Sequence, residues 1–189
     1  MMNGVDTQAL AQAMSTIREN PPAGLAHYGV ALAWAGGTKC NATALDMSIG
    51  SERIERCYTW TIDEPPQLLG TGGGPTPQEL LMSGVGACIM VGFVVAAATQ
   101  GIELRSLGIK MTGSLDLAGF LNLREDVTIA MRGITYEIVV DTDASDYQIE
   151  DLERIAVAFS PNAMTVKNGV PLRGTVRKPS SESNACLRA

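Results

Sequence analysis

The chain has 189 residues, 46% of them hydrophobic and 18% charged, which suits one compact domain with a sizeable core and excludes repeat arrays, large multidomain assemblies and wholesale disorder. Fourteen Lys and Arg against 20 Asp and Glu leave a formal charge of −6 with no basic run, so a surface that tracks phosphates is excluded, and DNA and RNA with it. Cys40, Cys57, Cys88 and Cys186 are too few and too scattered for a disulfide framework, no CxxC pair is present, and the single His27 offers little to a metal. The start, Met1 to Asp6, has neither a basic nor an apolar leader region, so a reducing cytoplasm with free thiols is expected.

In chain order, Asp6 to Asn20 reads as an amphipathic helix with Leu10, Met14 and Ile17 on one face, closed by Pro21-Pro22. It is expected to form an arm spanning residues 1–25. Residues 26–35, 38–48 and 54–62 carry β-branched and aromatic side chains with partial alternation at Val30, Leu32 and Trp34 and at Tyr58 and Trp60, which predicts three antiparallel strands. A loop from Asp63 to Pro75 follows, with Pro65-Pro66 and the run Gly70-Thr71-Gly72-Gly73-Gly74-Pro75.

The next helix is well marked: Thr76 is a good N-cap, Pro77 suits the first helical position, Glu79 completes a capping box, and Gly101 closes it. From Leu80 to Thr99 it carries no charge, and these 20 residues are long enough to span a bilayer. The stretch is single, lacks Lys or Arg at its ends and lies among alternating strands, so a buried helix enclosed by protein on every side is expected instead, with no membrane contact. Gly84, Gly86 and Gly92 weaken a helix unless close packing offsets them. Gly84, Cys88, Gly92 and Ala96 fall four apart and form a stripe of small side chains along which another element can approach.

Strand-rich pieces are expected at residues 105–117 and 127–141, separated by Ala118-Gly119-Phe120 and Asn122. A helix capped by Ser145 and Gln148 should run to about Phe159, break at Ser160-Pro161 and resume as a short turn to Lys167. A last strand, Val170 to Arg177, and a polar, mobile tail at 179–189 complete the chain. The element order is an α+β pattern.

Few residues offer chemistry. The glycine run before a helix has no following Gly-Lys-Ser/Thr, which argues for a flexible loop over a phosphate loop. His27 has no acidic or Ser partner nearby in sequence and reads as structural. Cys186 lies on the tail and reads as incidental. Cys40 and Cys57, in neighbouring predicted strands, meet only if the register allows. Cys88 is either a small buried hydrophobe or a reactive thiol; the second needs a nearby cation, a hydrogen-bond donor or a helix N-terminus, which a kink at Gly84 or Gly86 would bring closer.

The stretch Gly74-Pro75-Thr76-Pro77-Gln78-Glu79-Leu80-Leu81-Met82-Ser83-Gly84-Val85-Gly86-Ala87-Cys88 resembles the signature of the OsmC-like family, which includes the organic hydroperoxide resistance proteins. Gly113 to Leu121 and Ser160-Pro161-Asn162 follow in the family's order, so the resemblance covers residues 26–178, between the arm at 1–25 and the tail at 179–189. It implies an α+β fold of antiparallel curved sheets around long central helices, an intertwined homodimer with sites at the subunit interface, and thiol-dependent reduction of organic hydroperoxides without metal or flavin. Cys88 matches the cysteine that attacks the peroxide. The resolving cysteine's position is held by Ser160, whose hydroxyl cannot form a disulfide, so the resemblance leaves reduction to an external thiol. Two family residues tune the thiolate, an Arg after a Gly-Gly turn and a Glu ten positions before the cysteine. Here Lys39 follows Gly36-Gly37-Thr38, and Gln78 stands ten before Cys88 with Glu79 next to it. Lys39 can supply charge but not the planar fork of Arg, and the capping box alone accounts for Glu79. Two readings stand: a one-cysteine peroxidase, or a scaffold that keeps an apolar interface pocket for a ligand or partner, with Cys88 as packing.

Overall fold

A computed structural model describes residues 1–178; the expected tail at 179–189, with Cys186, lies outside the described residues. The chain divides into two compact units, one of Met1–Thr7 with Leu81–Val170, the other of Gln8–Leu80 with Pro171 onward.

The second unit begins with α1, Thr7–Glu19, which buries no residue, and a short 3-10 turn, Pro21–Gly24. Ile17 lies over Gly24 so closely that a Cβ there would come within 2.9 Å of its Cγ2. The three predicted strands are in fact six: β1 Ala26–His27, β2 Val30–Trp34, β3 Cys40–Ala44, β4 Met47–Ile49, β5 Glu52–Ile54 and β6 Thr59–Ile62. They form two antiparallel sheets, in the orders β1-β4-β5 and β2-β3-β6. The chain changes sheet three times, at Gly29, at Leu45 and between Ile54 and Thr59, and Leu45 N–H donates to the Gly29 carbonyl at 3.0 Å. Side-chain alternation survives such a change of partner, so the sequence alone reads each pair as one strand. The β2–β3 turn needs its glycines, since Gly36 and Gly37 have φ of 97° and 57°.

The first unit is built on α2, Pro77–Thr99, of which Leu81 onward belongs to it. After α2 come β7 Ser106–Ser114, the single turn α3 Leu117–Phe120, β8 Gly133–Asp141, α4 Asp146–Ala158 and α5 Pro161–Asn168. The β7–β8 ladder runs antiparallel from Ser106 opposite Asp141 to Ser114 opposite Gly133. β8 therefore starts at Gly133 and not at 127, because Asp116 caps α3 through Ala118 N–H and binds Arg132 at 2.9 Å, closing residues 116–132 into a loop of their own. The last strand expected at Val170 to Arg177 does not form; Leu172 and Val176 are fully exposed there and pair with no strand.

Val85, Ile89, Phe93, Ala96 and Ala97 of α2 form the core with Ile102, Leu152 and Ala156, backed by Leu107, Ile109, Met111, Ile138 and Val140 from the sheet. By length and hydropathy α2 could cross a membrane; in this unit it is the central core helix. Within one chain, protein does not surround it on every side: Leu81 is 46% and Val91 63% exposed. Asn3 ties the N-terminus to the segment after α2, donating from Nδ2 to the Ile102 carbonyl at 2.8 Å and accepting from Leu104 N–H at 2.9 Å.

Candidate active site

Cys88 is a free thiol, partly buried, in the middle of α2. The helix runs unbroken from Pro77 to Thr99, so no kink at Gly84 or Gly86 brings a helix N-terminus to the sulfur. The small-residue stripe does receive a partner. At Gly92 an added Cβ would lie 3.2 Å from both Cα and O of Ala156, and at Gly84 it would lie 3.6 Å from Asn162 Nδ2. Asn162 Nδ2 also donates to the Gly84 carbonyl at 2.8 Å, the acceptor to which the Cys88 amide points in a regular helix. These contacts run antiparallel, 92 with 156 and 84 with 162. The break between α4 and α5 therefore passes along the stretch of α2 that carries Cys88.

Ser160 sits at that break. Only 1% of it is exposed, and its Oγ caps α5 by accepting from Ala163 N–H at 3.2 Å. Cys88 and Ser160 thus share one unit and one tract of it. Asn162 was not singled out from the sequence as a functional residue; an Asn one place after the first helical Pro, able to donate beyond its own helix, was the available signal.

Lys39 and Glu79 belong to the other unit. Lys39 Nζ lies 4.0 Å from Asp63 Oδ2. Asp63 is 1% exposed, and its carboxylate gathers Thr71 Oγ1 at 2.6 Å, Thr71 N–H at 3.0 Å, Gly73 N–H at 3.0 Å, Glu64 N–H at 2.9 Å and Thr38 Oγ1 at 3.2 Å. These donors, the Thr71 hydroxyl foremost and then the Gly73 amide, hold the carboxyl far below the usual carboxylate range despite its burial. The loop Gly70 to Pro75 is thus neither slack nor a phosphate cradle: its Thr71 and Gly73 amides turn inward onto Asp63, and those of Gly70 and Gly72 donate to the Pro65 and Glu64 carbonyls. Side chains are barred from it, since a Cβ at Gly70 would lie 1.7 Å from the Glu64 carbonyl oxygen and one at Gly74 2.3 Å from that of Thr61. Sequence reading passed over Asp63; an acid at a strand end just before a glycine run is the pattern that marks it.

Glu79 does what its spacing predicts for a cap. Its Oε2 accepts from Thr76 N–H at 2.7 Å and from Thr76 Oγ1 at 3.1 Å, while Glu79 N–H donates to Thr76 Oγ1 at 3.3 Å. Cys40 and Cys57 are both free. Cys40 stands opposite Ile62 in the β3–β6 register, five residues from Cys57, so the strands do not pair them. His27 is exposed on β1, and among the described residues no group of His, Cys, Asp and Glu is arranged to hold a metal ion.

A sequence model of the family described as OsmC-like protein matches residues 70–173, from the glycine loop through α5. The chain belongs to the OsmC-like family. Among solved structures, the OsmC-like protein of Mycoplasma pneumoniae superposes with a TM-score of 0.60 at 19% identity, covering 76% of this chain and 89% of that one. An OsmC-like protein of unknown function from Vibrio cholerae gives 0.58 at 12% identity over 75% and 94% of the two chains. An organic hydroperoxide resistance protein of Legionella pneumophila gives 0.52 at 17% identity over 75% and 89%. At these identities the likeness is one of fold, the α+β arrangement of antiparallel sheets and helices expected from the sequence. No curated protein matches the sequence.

Proposed function

We propose that this OsmC-like chain is a soluble, cytoplasmic, homodimeric one-cysteine peroxidase that reduces small organic hydroperoxides through Cys88. The observation that carries the reading is the antiparallel docking of the α4–α5 break along α2, with Ser160 in the tract that passes Cys88. In the reaction, the Cys88 thiolate attacks the terminal oxygen of ROOH and the O–O bond breaks. The alkoxide leaves and takes up a proton as the alcohol, and the sulfur becomes a sulfenic acid. Ser160 cannot condense with it. An external thiol therefore attacks the sulfenic sulfur, water leaves, and a second thiol releases Cys88 as thiolate with one disulfide formed. The balance is one hydroperoxide and two thiols to one alcohol, one water and one disulfide.

Neither charged residue expected to tune the sulfur is at leisure to do so: Lys39 faces the Asp63 carboxylate and Glu79 caps α2. These commitments, with serine at 160, favour the second reading, a scaffold with an apolar interface pocket in which Cys88 is packing.

Rapid mixing of the protein with an alkyl hydroperoxide, trapping sulfenic acid with dimedone and locating it by mass spectrometry, separates the two. The peroxidase reading expects stoichiometric labelling at Cys88, faster than free cysteine reacts, and none in Cys88→Ser. It further expects Ser160→Cys to yield a peroxide-dependent disulfide between 88 and 160. Labelling no faster than that of free cysteine overturns it and leaves the scaffold.

A further inference from the structure

The two contacts between α2 and the α4–α5 stretch bracket Cys88. Gly92 meets Ala156 and Gly84 meets Asn162, so residue 88, midway between the glycines, stands level with residues 159 and 160. Gly84, Cys88 and Gly92 are spaced four apart and share a face of the helix, which turns Cys88 toward that break. Of the two residues level with it, Phe159 is 79% exposed and Ser160 only 1%, so Ser160 is the one turned inward. Its hydroxyl is half used: Oγ accepts from Ala163 N–H at 3.2 Å, while its proton goes to no described residue. A buried hydroxyl ordinarily donates as well as accepts. Asn162 has a donor to spare too, since its carboxamide carries two N–H groups and one donation is made, to the Gly84 carbonyl.

We infer that the Ser160 hydroxyl and the Asn162 carboxamide are the hydrogen-bond donors to the Cys88 sulfur in its thiolate form. This deepens the peroxidase reading and rests on it, since it names what steadies the anion that attacks the peroxide. A neutral thiol is a weak acceptor, and neither donor is spent on it in the structure. A thiolate is an ionised acceptor, for which hydrogen bonds are shorter and stronger. A cysteine in mid-helix gains little from the helix dipole, and Lys39 and Glu79 are committed to Asp63 and to Thr76. Neutral donors on the break meet the need from within the unit that holds Cys88. Serine at 160 then has a use of its own: a hydroxyl that cannot close a disulfide remains a donor through every turnover.

The test alkylates the full chain with iodoacetamide, which reacts with thiolates, and follows Cys88 by mass spectrometry with the exposed Cys57 of the other unit as internal reference. Relative to Cys57, the Cys88 rate should fall about tenfold in Ser160→Ala, the size of a hydrogen bond to a charged atom, and about threefold in Asn162→Ala, whose donor is open to water. Both changes remove atoms from beside the sulfur, so a role limited to packing or access predicts the opposite, an unchanged or faster rate. Asn162→Asp keeps the size of Asn but presents an anionic acceptor, and it should react more slowly than Asn162→Ala. Circular dichroism checks that each variant folds. Ser160→Ala also strips a cap from α5, and should it not fold, the two Asn162 variants decide. A folded Ser160→Ala that alkylates at the wild-type rate or faster overturns the assignment, as does Asn162→Asp at the wild-type rate. Trapping with an alkyl hydroperoxide, run alongside, keeps the two readings apart. Slowed alkylation without any sulfenic acid ends the peroxidase reading and leaves the donors in place, whereas sulfenic acid at Cys88 with alkylation unmoved does the reverse.

Discussion

Asp63 shows how much of a loop can depend on one side chain. A carboxylate removed from water needs partners for both oxygens, and this one finds them in Thr71, Gly73, Glu64 and Thr38. The loop that leads into α2 takes its shape from those bonds. Because the folded protein holds this carboxyl below its ordinary value of 3.8, the stabilisation it gives is complete above that value and is lost as the pH falls below it. Asp63→Asn turns an acceptor toward the same amides as a donor and removes the charge facing Lys39. The variant should melt roughly 5 °C or more below the wild type at neutral pH, and the gap should narrow progressively as the pH falls below 3.8, where the stabilisation given by the charge is lost. Calorimetric scans across that range check it; a gap that stays constant with pH would show that the charge is not what stabilises.

At the scale of elements, local signals were legible and tertiary ones were not. Both capping boxes, Thr76 with Glu79 and Ser145 with Gln148, form as their spacing predicts, because a cap is settled within four residues. The exchange of strands between two sheets at Gly29 and Leu45 was invisible, because it depends on which backbone each segment meets. The short loop-and-turn insertion before β8 was hidden likewise, since Asp116 and Arg132 are 16 residues apart. The glycine stripe was legible as a stripe, but not which glycine serves packing. The structure separates them. A methyl at Gly92 meets the backbone of α4 at 3.2 Å, which cannot swing aside, whereas at Gly84 it meets only the side-chain end of Asn162 at ordinary contact distance. Gly84→Ala should therefore gain about 1 kcal/mol of helix propensity, and Gly92→Ala should lose about 1 kcal/mol or more as α4 is pushed outward. Urea unfolding of the two variants should move the midpoint in opposite directions.

For the whole molecule, the resemblance told more than composition did: the fold and the family were readable from the motif around Cys88, while the state of assembly rests on what α2 leaves uncovered. Leu81 and Cys88 are seven residues apart and so share a face of the helix, with Val91 one turn further on. Leu81 and Val91 are about half exposed or more. Exposed Leu117, Phe120, Leu123 and Ile129 on the loop before β8 add further apolar surface in the same unit, and apolar surface of this extent usually marks an interface. In the proposed homodimer a second copy covers the α2 face, and the wall it supplies is what would close a pocket around the sulfur. Val91→Glu puts a charge into that contact without touching the buried residues of α2, so it should convert the dimer to a folded monomer in sedimentation experiments. If the pocket needs both copies, the same variant should also lose the rate advantage of Cys88 over free cysteine toward alkyl hydroperoxides. A monomeric variant that still forms sulfenic acid at the wild-type rate would place the whole reaction within one chain, and a wild type already monomeric would remove the second copy from the mechanism.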